Sequence, residues 1–177
     1  MEMKATYKRR AVFVPYCMVA PGFQANSHIQ CNYEWRKEFI NFLLEEEIDM
    51  IPFSCVEASF AILADGLLRD KHGIDYYQKL TGFCEHCDDV ASQEADRLMQ
   101  MMKAGIQIVA ILGIEHSPSC AVNYLYTHNG TQKRAGIFMQ LLIEKLQKRG
   151  ITTNYIGINR KYPKKALLRL KECICNN

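Results

Sequence analysis

Residues 107–114 read QIVAILGI. After Gln107 the run carries no polar side chain, and Ile or Val stands at positions 108, 109, 111 and 114, residue types that favour a pleated strand. A strand with one wet face alternates apolar and polar residues, whereas a strand covered on both faces is apolar throughout. This run is of the second kind. Upstream, Ala91, Ala95, Leu98 and Met102 follow the i, i+4, i+7, i+11 spacing of a helix, and Gly105 stands just past it, where a left-handed C-cap suits glycine. Downstream, after the polar stretch EHSPSC, Phe138, Leu141, Leu142 and Leu146 form a second helical stripe closed by Gly150. The same alternation extends in both directions. Strand-like runs lie at Ala11–Val14, Asp49–Phe53 and Asn154–Ile158. Helical stripes lie at Trp35, Phe39, Phe42, Leu43 and at Leu167, Leu170, Ile174, with a further helical segment at Ala58–Asp70. Strand and helix in alternation predict an α/β fold: one three-layer sandwich around a central, mainly parallel sheet of four or five strands, Rossmann-like in its layering.

Composition agrees with one domain over residues 1–177. The chain has 177 residues, 49% of them hydrophobic and 23% charged, which excludes a disordered or collagen-like polymer. A net charge of +3 gives no reason to expect a nucleic-acid partner, and the basic runs Lys8–Arg10 and Arg160–Lys165 read as solvated. No apolar run reaches the roughly 18–20 residues that a membrane span needs. Residues 71–87 (KHGIDYYQKLTGFCEHC) are polar and aromatic without a period, and read as an irregular excursion over one end of the sheet. Met1–Arg10 followed by Ala11–Ala20 has the charge pattern of a secretory leader, but Pro15 and Tyr16 interrupt the apolar part and no small-x-small cleavage site follows. The expected compartment is therefore the cytoplasm, where thiols stay reduced.

That expectation makes the 8 cysteines conspicuous. Cys17 follows the first strand in VPYCMVAPG, Cys55 the second in PFSCVE, and Cys120 the third in GIEHSPSCA. In an open α/β sheet, ligands bind at the edge where parallel strands end. Topology alone therefore carries three thiols to one rim. Three thiolates suit a soft metal centre, either a tetrahedral zinc or a [4Fe-4S] cluster, and three rather than four leave one position open for a substrate. Glu57 would stand beside such a centre as a general acid or base, or serve as an ordinary carboxylate at a helix N-terminus. Ser117 and Ser119 would orient a water or substrate, or cap the backbone that follows.

These motifs together, C…(P-x-x-C-x-E)…(S-P-S-C), resemble the 2-thiouracil desulfurase (TudS) family, closest to a clostridial branch described as TudS-related desulfidases. The resemblance spans most of residues 10–150 and is sharpest at SPSC. Val56 takes the place of the family's proline and Ala121 that of its glycine, and the first motif lacks its usual neighbours. The resemblance implies that Cys17, Cys55 and Cys120 hold a [4Fe-4S] cluster with one iron free of protein ligands. It also implies that Glu57 and one of Ser117 or Ser119 assist proton transfer and water attack. The implied substrate is a small molecule with a thiocarbonyl-type sulfur, released as sulfide. The alternative is a non-catalytic zinc-binding or redox-sensing protein using the same three cysteines.

Other chemistries lack their signatures. No G-x-G-x-x-G follows the first strand and no G-x-x-x-x-G-K-[ST] is present. Cys84-Glu-His-Cys87 is a C-x-x-C with no second pair for zinc, and for thioredoxin-like redox work it would have to follow a strand, whereas it reads as preceding a helix. Cys31 is a substitute for Cys17 if the first loop folds back. Cys173 and Cys175 close the chain without an assigned role. His116, inside the third motif, is a candidate pocket residue. His28, His72, His86 and His128 read as surface or loop residues.

Overall fold

The computed structural model describes residues 9–21, 34–63 and 72–175. The run 107–114 is a strand over its whole length, and it lies inside a four-stranded sheet. The elements are β1 (Arg10–Pro15), α1 (Tyr16–Val19), α2 (Glu34–Glu45), β2 (Asp49–Phe53), α3 (Val56–Leu63), α4 (Ile74–Tyr77), α5 (Phe83–Lys103), β3 (Gln107–Ile114), β4 (Tyr124–Thr127), β5 (Gly130–Lys133), α6 (Ile137–Lys148), β6 (Asn154–Ile158) and α7 (Lys164–Cys175). The main sheet runs β2-β1-β3-β6, and every pairing in it is parallel.

Both faces of this sheet are covered, which is why its strands carry apolar residues at consecutive positions. Ala11, Phe13 and Ile111 pack on one side with Val56, Phe83, Ala91, Leu98, Phe138 and Leu142 from α3, α5 and α6. Val12, Val14, Ala110 and Leu112 pack on the other with Met18, Phe39, Leu43, Leu170 and Ile174 from α1, α2 and α7. The result is the expected three-layer α/β sandwich. One irregularity marks its centre: between Ala11 and Val12 the register against β3 jumps from Ile108 to Ala110, so Val109 is an inserted bulge residue. Val109 and Ala110 accordingly join the same core.

Helix ends follow the glycine pattern. Gly105 and Gly150, just past α5 and α6, have φ of +88° and +70°. On the edge strand β2, the carbonyl of Pro52 accepts a 2.6 Å hydrogen bond from Arg97 of α5.

Two parts differ from the sequence expectation. Residues 71–87 are more regular than their composition suggests. Residue 71 lies outside the described residues, α4 occupies 74–77, and α5 begins at Phe83. The Cys84-Glu-His-Cys87 motif is thus the opening of a 21-residue helix rather than a stretch that precedes one. The helical periodicity at 91–102 captured only the later part of that helix, because its first turns mix Cys, Glu, His and Asp with the core residue Phe83. Second, β4 and β5 form an antiparallel hairpin around His128-Asn129-Gly130. Every residue of β5 is exposed, so it shows no apolar alternation to be read. Of the segment Ala58–Asp70, α3 covers the part through Leu63, and 64–70 lie outside the described residues. No helix among the described residues is long and apolar enough to cross a membrane.

Candidate metal centre and acid–base site

The sheet order has a consequence for placement. From β1 the chain moves outward to β2, then returns past β1 to β3, so the direction of winding reverses between β1 and β3. The crevice beyond the carboxyl ends of those two strands is the topological switch point, the usual ligand site of open α/β folds. Cys17 leaves β1 and Cys120 lies in the loop leaving β3.

Registers bring the third thiol alongside. Pro15 pairs with Phe53, and Cys17 and Cys55 each stand two residues beyond that rung. The loop 115–120 folds back over β3, so that a Cβ on Gly113 would overlap the carbonyl oxygen of Cys120. On the opposite side, a Cβ on Gly136 would overlap the backbone carbonyl of Ser119. Glycine at both positions lets the SPSC loop lie between β3 and the start of α6. Cys17, Cys55 and Cys120 therefore share one edge, as the sequence predicts, and all three are half-buried and outside any disulfide.

Their charges interact. Burial holds the Cys17 thiol far above its ordinary value, and neighbouring Cys120 and Cys55 push the same way, with Arg160 opposing and Glu57 adding a smaller push. Burial likewise pushes Cys120 up to about 11, opposed by its hydrogen bond to Ser117 and reinforced by Glu57 and Cys55. Cys17 and Cys120, which resist ionising because of burial and the neighbouring cysteines, need a cationic centre before they become thiolates. The donor set fits an iron–sulfur cluster, which takes cysteine thiolates. Among the described residues, no three His, Cys, Asp or Glu side chains converge as a single metal ion would require.

Beside the thiols, three hydroxyl groups donate to Glu57. Ser119 donates to Oε1 at 2.5 Å, Ser117 to the same oxygen at 3.4 Å, and Tyr77 to Oε2 at 3.2 Å. Glu57 is 8% exposed and sits in the first turn of α3, so it is a helix N-terminal carboxylate and also the centre of a polar cluster. Ser117 fills the capping role expected of it and also meets the thiol. Its Oγ accepts the backbone N–H of Ser119 and Cys120, capping the turn, and accepts the Cys120 thiol at 3.3 Å. The Oγ atoms of Ser117 and Ser119 are 3.2 Å apart. A continuous hydrogen-bonded path thus runs from Cys120 through Ser117 to Glu57 and on to Tyr77.

Several contributors were not foreseen. Tyr77 lay in the aperiodic stretch, where composition offers no signal for it. Glu94 of α5 accepts both the N–H and the hydroxyl of Ser54 at 2.8 Å, and Arg97 at 2.7 Å, so it anchors the residue before Cys55. Its signal was present: Glu94 falls on the stripe Ala91–Ala95–Leu98, and a carboxylate on a buried face needs partners. Glu115 accepts the side chain of Asn123 at 2.7 Å and the N–H of Tyr124 at 2.8 Å, fixing the base of the SPSC loop to the hairpin.

His116, the candidate pocket residue, has φ of +68° and stacks on Tyr126 at 4.3 Å between ring centroids. Its Nδ1 is buried without a hydrogen-bond partner among the described residues. His28 and Cys31 lie outside the described residues. Cys173 is half-buried in α7 and Cys175 exposed at its end, on the helix that packs beneath the other face of the sheet. No protein-family model matches the chain, and no curated protein or solved structure is significantly similar to it. The resemblance to the thiouracil desulfurases therefore rests on the quoted motifs, and the site is read from its own geometry.

Proposed function

We propose that the chain is an iron–sulfur-dependent desulfidase that removes sulfur from a small molecule carrying a thiocarbonyl-type sulfur and releases sulfide, acting in the cytoplasm on neither nucleic acid nor membrane. One observation carries the reading: three cysteine loops meet at the switch point, and the third delivers both its thiol and its serines to the carboxylate that follows the second. Cys17, Cys55 and Cys120 would hold a [4Fe-4S] cluster. Bound there, the cluster supplies a soft Lewis-acid iron with an open position, which attracts a thiocarbonyl sulfur and polarises its bond to carbon.

The remaining work belongs to side chains of this chain. The balance is simple: water supplies the oxygen and two protons, C=S becomes C=O, and sulfur leaves as hydrogen sulfide. Glu57 is the base that takes a proton from the attacking water and returns it to the departing sulfur. Ser119 and Ser117 present hydroxyls to Glu57 Oε1, the position from which they also orient that water. Tyr77 holds Oε2, so the carboxylate keeps one orientation. The test is anaerobic reconstitution with iron and sulfide, followed by a screen of thiolated heterocycles and thioamides for sulfide release. Absorbance near the visible edge with release from at least one compound supports the reading. A reconstituted cluster inert towards all of them overturns the activity. A colourless protein with stoichiometric zinc overturns the cofactor and restores the zinc-binding alternative.

A further inference from the structure

The C-x-x-C motif has no part in that chemistry, and the structure changes what it can do. Cys84 and Cys87 stand one turn apart at the start of α5, after Gly82 in the left-handed conformation. Cys84 is exposed and Cys87 is fully buried. Cys87 packs in the core with Phe83, Val90 and Ala91. Residues three apart on a helix have Cβ atoms about 5–6 Å apart, within an ångström or two of the 3.5–4.5 Å span of a disulfide. Closing the bond requires the opening of α5, whose first N–H groups have no partner within the helix, to tighten by that amount.

We propose that Cys84 and Cys87 form a redox-active dithiol that closes reversibly to a disulfide by exchange with a low-molecular-weight disulfide, with Cys84 attacking and Cys87 resolving. The asymmetry of exposure sets the order of events. Cys84 alone can meet an external disulfide; its thiolate attacks one sulfur and the first small thiol leaves. Cys87 then gives its proton to the small thiolate released in the first step and attacks Sγ of Cys84, and the second small thiol leaves as a thiolate that takes up the proton Cys84 had lost. Two protein thiols are oxidised and one external disulfide is reduced to two thiols, so electrons and protons balance.

The environment of Cys87 suits this role. Burial, with smaller contributions from Cys84 and Glu57, holds its thiol far above the ordinary value, so it does not react with solutes on its own account. A disulfide is neutral and apolar and fits the same surroundings. Proximity to Cys84, rather than acidity, makes Cys87 the resolving thiol.

The proposal does not depend on the cluster or on turnover. Trypsin cuts after Lys79 and Arg97, so residues 80–97 form a peptide whose only cysteines are this pair. The full chain is equilibrated anaerobically with mixtures of reduced and oxidised glutathione, quenched in acid, alkylated, digested and weighed. The expected product is a peptide 80–97 lighter by two hydrogens and free of alkyl groups, reverting on treatment with excess reduced glutathione. In Cys87→Ala, Cys84 should instead retain glutathione as a mixed disulfide. In Cys84→Ser, glutathione uptake at Cys87 should be slower by about tenfold or more, as expected for a buried thiol. Two alkylated cysteines at every glutathione ratio would overturn the proposal. So would a wild-type mixed disulfide that never resolves, a bond from Cys84 to a cysteine outside the peptide, or unimpaired uptake at Cys87 in Cys84→Ser.

Discussion

Glu57 receives hydroxyl hydrogen bonds from α4 and from the loop leaving β3, and none of those donors is near it in sequence. Replacing it with Gln keeps the volume but turns one oxygen into a donor that faces hydroxyls already committed to donating. Glu57→Gln should keep the absorbance of the reconstituted cluster while turnover falls about 10²–10⁴-fold, the usual cost of a lost acid–base group. Steady-state sulfide release alongside the visible spectrum checks both halves, and unchanged turnover would move the acid–base role elsewhere. The sequence alone singles out Glu57, Ser117 and Ser119, because each lies a fixed short distance from a cysteine in a strand-end loop. Tyr77 is not legible in the same way. Its place beside Glu57 arises when α4 packs over the site, and nothing in IDYY distinguishes it from its exposed neighbour Tyr76.

At the scale of elements, the SPSC loop is held by what its neighbours lack. Gly136 opens α6 with φ of −67°, a backbone that any residue can adopt, so its glycine is required by space and not by conformation. Gly136→Ala should push the Ser119 carbonyl away and cost about 1–3 kcal/mol, the range for overpacking a tight contact. A lower denaturation midpoint at unchanged m-value would show it. Cluster retention should weaken in the same variant, because Cys120 follows Ser119 directly. Elements themselves were legible to very different degrees. β2, β3 and β6 have the bounds read from the sequence, and in β3 double-sided burial leaves a continuous apolar signature. The hairpin β4–β5 escaped notice because its second strand buries nothing, and the start of α5 because its turns are built from residues that any loop could contain.

On the scale of the whole molecule, the two cores lie on either face of the sheet, while the cysteine site sits at its edge. With its cores away from that edge, the fold is expected to form without a metal, unlike small domains that unfold without their ion. Chelating the iron from a reconstituted sample should abolish the visible absorbance and sulfide release while the far-UV circular dichroism stays unchanged. Loss of both together would show instead that the cluster organises the fold. Alanine at any one of Cys17, Cys55 or Cys120 should reproduce the effect of chelation, with loss of iron and retention of secondary structure.

Pro52 has one more bearing on how the molecule behaves in company. Edge strands invite other chains to add on, and β2 is one of the two edges of this sheet. A strand residue turns its N–H and C=O to the same side; Pro52 has no N–H, and Arg97 already occupies its carbonyl. An arriving strand finds neither donor nor acceptor at the rung it would need. Among the described residues, the β2 rim is thereby blunted at that rung against fibril growth and edge-to-edge aggregation.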